Sequence, residues 1–91
     1  MSIQWLFDVI QERKNNPSEK SYTASLFKEG LPKIAQKVGE EGTEVVVAAL
    51  AQDDLRLIEE VADLTYHTLV LLAARGLTPE QIIAELEKRH K

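Results

Sequence analysis

The stretch Lys33-Ile34-Ala35-Gln36-Lys37-Val38-Gly39-Glu40-Glu41-Gly42-Thr43-Glu44-Val45-Val46-Val47-Ala48-Ala49-Leu50-Ala51 decides the fold. Its apolar residues recur at helical spacing, with no sustained alternation of apolar and polar positions. Pro32 just ahead suits a first helical turn, so the spacing predicts a long helix to about Ala51. At about 100° per residue, Ile34, Val38, Val45 and Ala49 fall together and form the expected core stripe. Glu41 lies at the edge of that stripe. Ala48 lies just beyond it, and Lys37 and Glu44 continue the same flank. A second long helix follows the short turn at Gln52, capped by Asp53 or Asp54 and ending at Arg75, with Gly76 as its left-handed stop. On it Leu57, Val61 and Leu64 mark the expected core stripe, while Glu60, Asp63 and His67 run along a flank beside Leu71. So short a connection makes the two helices antiparallel neighbours.

Working outward, Ser2 is placed to cap a helix through about Lys14, with Trp5, Leu6, Val9 and Ile10 on one stripe. Asn15-Asn16-Pro17 ends it, and Ser18 to Lys20 forms a polar linker. Tyr22 to Glu29 reads as a short helix stopped by Gly30. Thr78-Pro79-Glu80-Gln81 is a capping box that opens a last helix to about Arg89. The expected fold is all-α, a bundle of four to five helices in a single domain over residues 1–91. From Leu64 to Ala74 the second long helix is apolar almost all round, more than a lone small bundle covers. A homodimer or higher homo-oligomer is expected from that girth, with Trp5, Tyr66 and the Leu69–Leu72 run as core or subunit contacts.

Composition narrows the function classes. With 44% hydrophobic and 29% charged residues the chain is globular rather than disordered. It has no cysteine, which excludes disulfides, thiolate metal sites and cysteine nucleophiles. No apolar run reaches about 18 residues, so no membrane span is expected. The start lacks a basic segment before an apolar run, so a cytoplasmic location is expected. The net charge of −4 argues against nucleic-acid partners. Eight acids oppose two bases between Lys37 and Asp63, so that segment carries −6 and the remainder +2.

Within that acidic third, Glu41 and Glu44 are three apart, as are Glu60 and Asp63, so each pair shares a helix face. The turn brings the pairs to similar heights. Four converging carboxylates with apolar neighbours need a compensating cation, and an all-oxygen set favours Mg²⁺ or Mn²⁺. The plain alternative is a set of solvated surface acids. A di-iron bundle requires Glu-x-x-His, and no Glu stands three before His67.

Ser21-Tyr22-Thr23-Ala24, Lys33-Ile34-Ala35-Gln36-Lys37-Val38-Gly39-Glu40-Glu41, Glu44-Val45-Val46 and Glu60-Val61-Ala62-Asp63-Leu64-Thr65-Tyr66-His67 closely resemble the phosphoribosyl-ATP pyrophosphohydrolase family of histidine biosynthesis. That family belongs to the all-α NTP pyrophosphohydrolases, with MazG-like proteins and dimeric dUTPases. The broad group's signature is Glu-Glu-x-x-Glu followed by Glu-x-x-Asp, here separated by fifteen residues. The resemblance runs from the first helix to Arg75-Gly76-Leu77-Thr78. It implies helices packed across an oligomer interface near the site, and a stand-alone form without a fused cyclohydrolase domain. It also implies Mg²⁺-dependent hydrolysis of phosphoribosyl-ATP to phosphoribosyl-AMP and pyrophosphate, the second step of histidine synthesis. Glu41, Glu44, Glu60 and Asp63 match the metal ligands, Glu41 and Glu44 thereby being catalytic. Glu40 would orient water or act as general base. Ser21, Tyr22, Thr23, Lys33, Lys37 and His67 are candidate substrate contacts. Lys28 and Arg75 are further phosphate candidates. Two alternatives stand beside this reading: a house-cleaning (d)NTP pyrophosphatase, and a non-catalytic helical interaction module.

Overall fold

The computed structural model describes Met1–Lys91 and contains five helices and no strand. They are α1 (Ile3–Asn15), α2 (Tyr22–Glu29), α3 (Leu31–Ala51), α4 (Asp54–Ala74) and α5 (Pro79–Arg89). Their ends follow local chemistry. The Ser2 hydroxyl accepts from Trp5 N at 3.0 Å, the Ser21 hydroxyl from Ala24 N at 3.1 Å, and the Asp53 carboxylate from Arg56 N at 2.9 Å. Each satisfies an amide that the first helical turn leaves orphaned. Asp53, not Asp54, is therefore the cap of α4. At the far end of α4, Leu77 N donates to Leu72 O at 2.8 Å and Gly76 has φ +71, the wrap of a helix stop in which glycine carries no Cβ penalty.

Gly30, at φ +94, joins α2 to α3 without a spacer. Its N–H bonds Leu26 O at 3.0 Å, ending α2, while its carbonyl accepts from Ile34 N at 3.2 Å, beginning α3. Glycine is required at this elbow because an L side chain disfavours that φ.

α3 and α4 form an antiparallel hairpin, and α1 and α2 pack across only one half of it. The core joins Phe7, Ile10, Leu26 and Ile34 to Leu69, Val70, Leu72 and Ala73. It therefore lies where α3 starts and α4 ends. The other half of the hairpin, near the Gln52–Asp53 turn, carries exposed Val46, Val47 and Leu50 on α3 and Leu55, Ile58 and Val61 on α4. The α5 helix is an outrigger whose Ile82, Ile83 and Leu86 are also exposed.

Several packing expectations need correction. The buried line on α3 runs through Ile34, Glu41 and Ala48 at seven-residue spacing, whereas Val38 and Val45 are half-buried and Ala49 is exposed. Two helices in an antiparallel seam meet along a heptad line, so the interface centre passes through the acidic flank. On α4 the corresponding line is Glu60 and His67, and Val61 is exposed. On α1 the buried residues are Phe7 and Ile10, leaving Trp5 exposed. The Leu64–Ala74 girth is covered within the chain, because α1 and the start of α3 pack around it. The uncovered apolar surface lies instead at the hairpin's other half and on α5.

Candidate active site

The two long helices meet through carboxylates midway along the hairpin. Glu41 and Glu60 occupy the seam of α3 and α4 and are buried, at 8% and 6% exposure. One carboxylate oxygen from each of Glu41, Glu60 and Asp63 lies within 4.8 Å of the others. Glu41 Oε2 and Glu60 Oε2 are buried with no hydrogen-bond partner. An orphaned carboxylate oxygen is costly to bury, and two facing the same cluster constitute an unfilled demand for positive charge.

Glu44 stands exposed beside this cluster, one turn after Glu41. Burial raises the Glu41 carboxyl above the ordinary carboxylate range, reinforced by hydrogen bonding to Glu44 and by the charges of Glu44 and Asp63. Glu60 is raised chiefly by its hydrogen bond to Glu44, then by burial. Glu44 is lowered because it accepts from both, Glu60 first. The three acids are thus pushed apart in proton affinity, the two buried ones upward and exposed Glu44 downward, as expected of like charges crowded together with no cation between them.

One cation from the chain reaches the cluster. The Arg56 guanidinium donates to Glu60 Oε1 at 2.7 Å and to Glu59 Oε1 at 3.2 Å, with half its side chain exposed. Sequence reasoning missed this role, although the i,i+4 spacing of Arg56 and Glu60 was available as a signal. Glu40, by contrast, is exposed and accepts from Gln36 Nε2 at 2.7 Å, outside the three-acid group.

On the α2 side the cluster is backed by a polar network. His67, 6% exposed, has Nδ1 2.9 Å from Asp63 O and 3.7 Å from Glu41 Oε1. A carbonyl only accepts, so Nδ1 carries the proton. In the neutral ring Nε2 is then an acceptor, taking the Tyr22 hydroxyl at 3.0 Å. The Tyr66 hydroxyl bonds Thr23 Oγ1, and the Tyr66 ring lies 5.2 Å from that of His67 and 6.4 Å from that of Tyr22. Thr23, buried and bonded to Tyr66, ties α2 to α4, while the Ser21 hydroxyl caps the α2 N-terminus. Tyr22 keeps half its ring exposed beside the acids. Desolvation raises its hydroxyl's pKa, opposed by Lys37.

Lys37 is half-buried one turn before Glu41 and forms no ion pair within 4.0 Å, nor do Lys33, Lys28 or Arg75. The candidate phosphate-binding cations are thus uncommitted. The donor set matches a hard divalent cation: all-oxygen, anionic, and containing two buried oxygens that lack any other partner.

The sequence matches the family described as Phosphoribosyl-ATP pyrophosphohydrolase over residues 4–90. It is 58% identical over 88 residues to a phosphoribosyl-ATP pyrophosphatase of Lacticaseibacillus casei (strain BL23), covering 97% of this chain and 80% of that protein. It is 50% identical over 89 residues to a protein of the same name from Sulfurisphaera tokodaii, covering 98% of this chain and 95% of the other. A Clostridium botulinum protein of that name is 48% identical over 89 residues, covering 98% and 81% respectively. With carboxylates from two helices assembled on a hairpin that the match spans from end to end, the chain belongs to the phosphoribosyl-ATP pyrophosphohydrolase family.

Proposed function

We propose that this protein hydrolyses phosphoribosyl-ATP to phosphoribosyl-AMP and pyrophosphate with Mg²⁺, as the second step of histidine biosynthesis. The observation that carries the reading is the pair of partnerless buried oxygens, Glu41 Oε2 and Glu60 Oε2, at the three-acid cluster of a chain in this family. Glu41, Glu60 and Asp63 would hold the ion, with Glu44 at its edge. Bound there, Mg²⁺ offsets the triphosphate's charge and lowers the pKa of an attacking water.

The chain's own groups account for the rest. Glu44, exposed and with its carboxyl held below the ordinary range, accepts a hydrogen bond from water and orients it towards the anhydride. Glu40 is engaged by Gln36, whereas Glu44 bonds to the two buried acids, so Glu44 is the better placed of the two. Lys37 and Lys33 supply cations to the phosphate oxygens, and the exposed face of Tyr22 offers a platform beside them. Ser21 and Thr23 act by fixing α2 and hence Tyr22. His67 is anchored by the Asp63 backbone carbonyl and the Tyr22 hydroxyl and faces the Glu41 carboxylate, so it acts as a support behind Glu41 rather than as a substrate contact.

A second copy of the chain would cover the apolar half of the hairpin that α1 and α2 leave bare, and the acids would then lie at the rim of a subunit interface. The deciding experiment is incubation of phosphoribosyl-ATP with the protein and Mg²⁺. Pyrophosphate and phosphoribosyl-AMP in equal amounts are expected. No product, or equally fast turnover of dCTP and dUTP, would overturn the assignment.

A further inference from the structure

On the face of α2 turned away from Tyr22's partners lies a cavity of about 710 Å³ between the end of α1, the Pro17–Ser21 segment and α2. It is large enough for a sugar phosphate. Arg13, Lys14 and Lys28 line it against a single acid, Glu19, a local excess of +2 in a chain of net −4. The Lys14 ammonium is held in place by Ala73 O at 2.8 Å and sits 5.9 Å from the centre of the Phe27 ring, leaving further N–H donors unspent. Lys28 has no ion-pair partner, while Arg13 pairs only with its exposed neighbour Glu12. Ser21, Ser25 and Lys28 recur at helical spacing along this wall, and Phe27 supplies an apolar surface. An adjoining hollow of about 320 Å³ shares Arg13 and Ser21 and adds Lys20 and Glu12, so the charge excess belongs to the larger cavity.

The two faces of α2 therefore carry opposite chemistries. Tyr22 reaches the His67 and carboxylate side, and Ser21, Ser25 and Lys28 face the basic cavity. A helix with its side chains is about 10–12 Å across, so a ligand engaging both faces must pass around the N-terminal end of α2, where Ser21 and Tyr22 are neighbours. An ordinary nucleoside triphosphate bears phosphate at one end only. A phosphoribosylated one bears a triphosphate at one end and a phosphomonoester on a second ribose at the other. We propose that this cavity seats that second phosphomonoester, with Lys28, Lys14 and Arg13 as its cations and Phe27 against the ribose. The proposal rests on the reading of the carboxylate site as a phosphoribosyl-ATP hydrolase, and it assigns selectivity to a region that the acids do not touch.

The test uses the full-length protein, Lys28→Gln and Arg13→Gln, with ribose 5-phosphate and inorganic phosphate as probes. Amide shifts at Ser21, Ser25 and Lys28 are expected on adding ribose 5-phosphate to the parent, and smaller ones with inorganic phosphate. Ribose 5-phosphate should also compete with phosphoribosyl-ATP. In Lys28→Gln the shifts should fade, KM for phosphoribosyl-ATP should rise at least about tenfold, and the preference over ATP should narrow by a similar factor. Shifts without any change in KM would assign the cavity to a separate phosphate metabolite and overturn its role in the substrate. Neither shifts nor a KM change would overturn the site itself. A parent protein that releases no pyrophosphate yet shows Lys28-dependent shifts would sink the proposed reaction and leave a phosphomonoester site standing.

Discussion

At Glu41 the cost of burial and the gain of a binding site are the same fact. Its proton affinity is raised in the folded state, first by burial and then by Glu44 and Asp63. Glu60 is raised by the same neighbour. The sign of the linkage follows. Between the ordinary carboxylate range and the raised value, the folded protein holds protons that the unfolded chain releases, so metal-free stability falls as pH rises through that window. Glu44 runs oppositely: its lowered proton affinity contributes stability above the ordinary range that is lost on acidification. In Glu41→Gln one buried group is neutral at every pH. In a chelator its melting temperature should match the parent's near pH 4.5, the ordinary value for the group, and exceed it by a few degrees at pH 8. Turnover should fall on the order of 100-fold or more, since the variant removes a metal ligand and outer-layer groups alone cost about 10–100-fold. A parent-like turnover and an unchanged pH dependence would return the acids to ordinary surface charge.

His67 and Tyr22 offer a second residue-level prediction. The Tyr22 hydroxyl is the only partner of His67 Nε2, so Tyr22→Phe frees the ring to rotate away from Asp63 O. The expected loss is about 1 kcal/mol of stability in urea titration and about tenfold in the Mg²⁺ concentration needed for half activation. A change in stability with no change in the Mg²⁺ requirement would confine the pair to holding α2.

Among the elements, α3 shows where backbone and packing pull differently. A Cβ at Gly39 or Gly42 would meet no atom within 4 Å, so close helix approach within the chain does not account for either glycine. Gly39 is exposed, and Gly39→Ala should stabilise the fold by about 0.5–1 kcal/mol in chemical denaturation, because alanine costs less chain entropy in a helix. Gly30 should behave in the opposite way. Its φ of +94 lies in the left-handed region, and Gly30→Ala should cost about 1–2 kcal/mol at the α2–α3 elbow. Loss of the elbow would also move Tyr22, so activity should fall together with stability.

For the whole molecule, the distribution of apolar surface is decisive. Val46, Val47, Leu50, Leu55, Ile58 and Val61 stand exposed around one half of a hairpin whose other half is packed by α1 and α2. Light scattering at micromolar concentration should report at least twice 10.2 kDa. Ile58→Glu should shift the population towards monomer and depress turnover along with it, as expected if the acids sit at a subunit rim. A fully active monomer would refute the arrangement. Millimolar Mg²⁺ should raise the melting temperature of the parent by mass action, and Asp63→Asn should abolish the gain.

The sequence by itself determined the helical segments, most of their ends, the glycine stops and the acidic pairs, because each is written in neighbours a few positions apart, and left only the choice between Asp53 and Asp54 as the cap of α4 to the structure. Ser2, Ser21 and Asp53 accept from amides three residues on, Gln81 accepts from the Thr78 amide three residues back, and a three-residue spacing places Glu60 and Asp63 on one helix face whatever surrounds them. The tertiary structure decided which face became the interior. The apolar stripe of a lone helix has Val45 and Val38 at its centre, but the antiparallel seam follows the heptad line through Ile34, Glu41 and Ala48, a choice made jointly by both helices. Only that pairing leaves Glu41 and Glu60 with oxygens lacking a partner. It likewise decided the bond from Tyr22 to His67, 45 residues apart, and the basic cavity behind α2, which no local spacing encodes. Helical periodicity is a property of one segment, while burial is a property of what that segment meets.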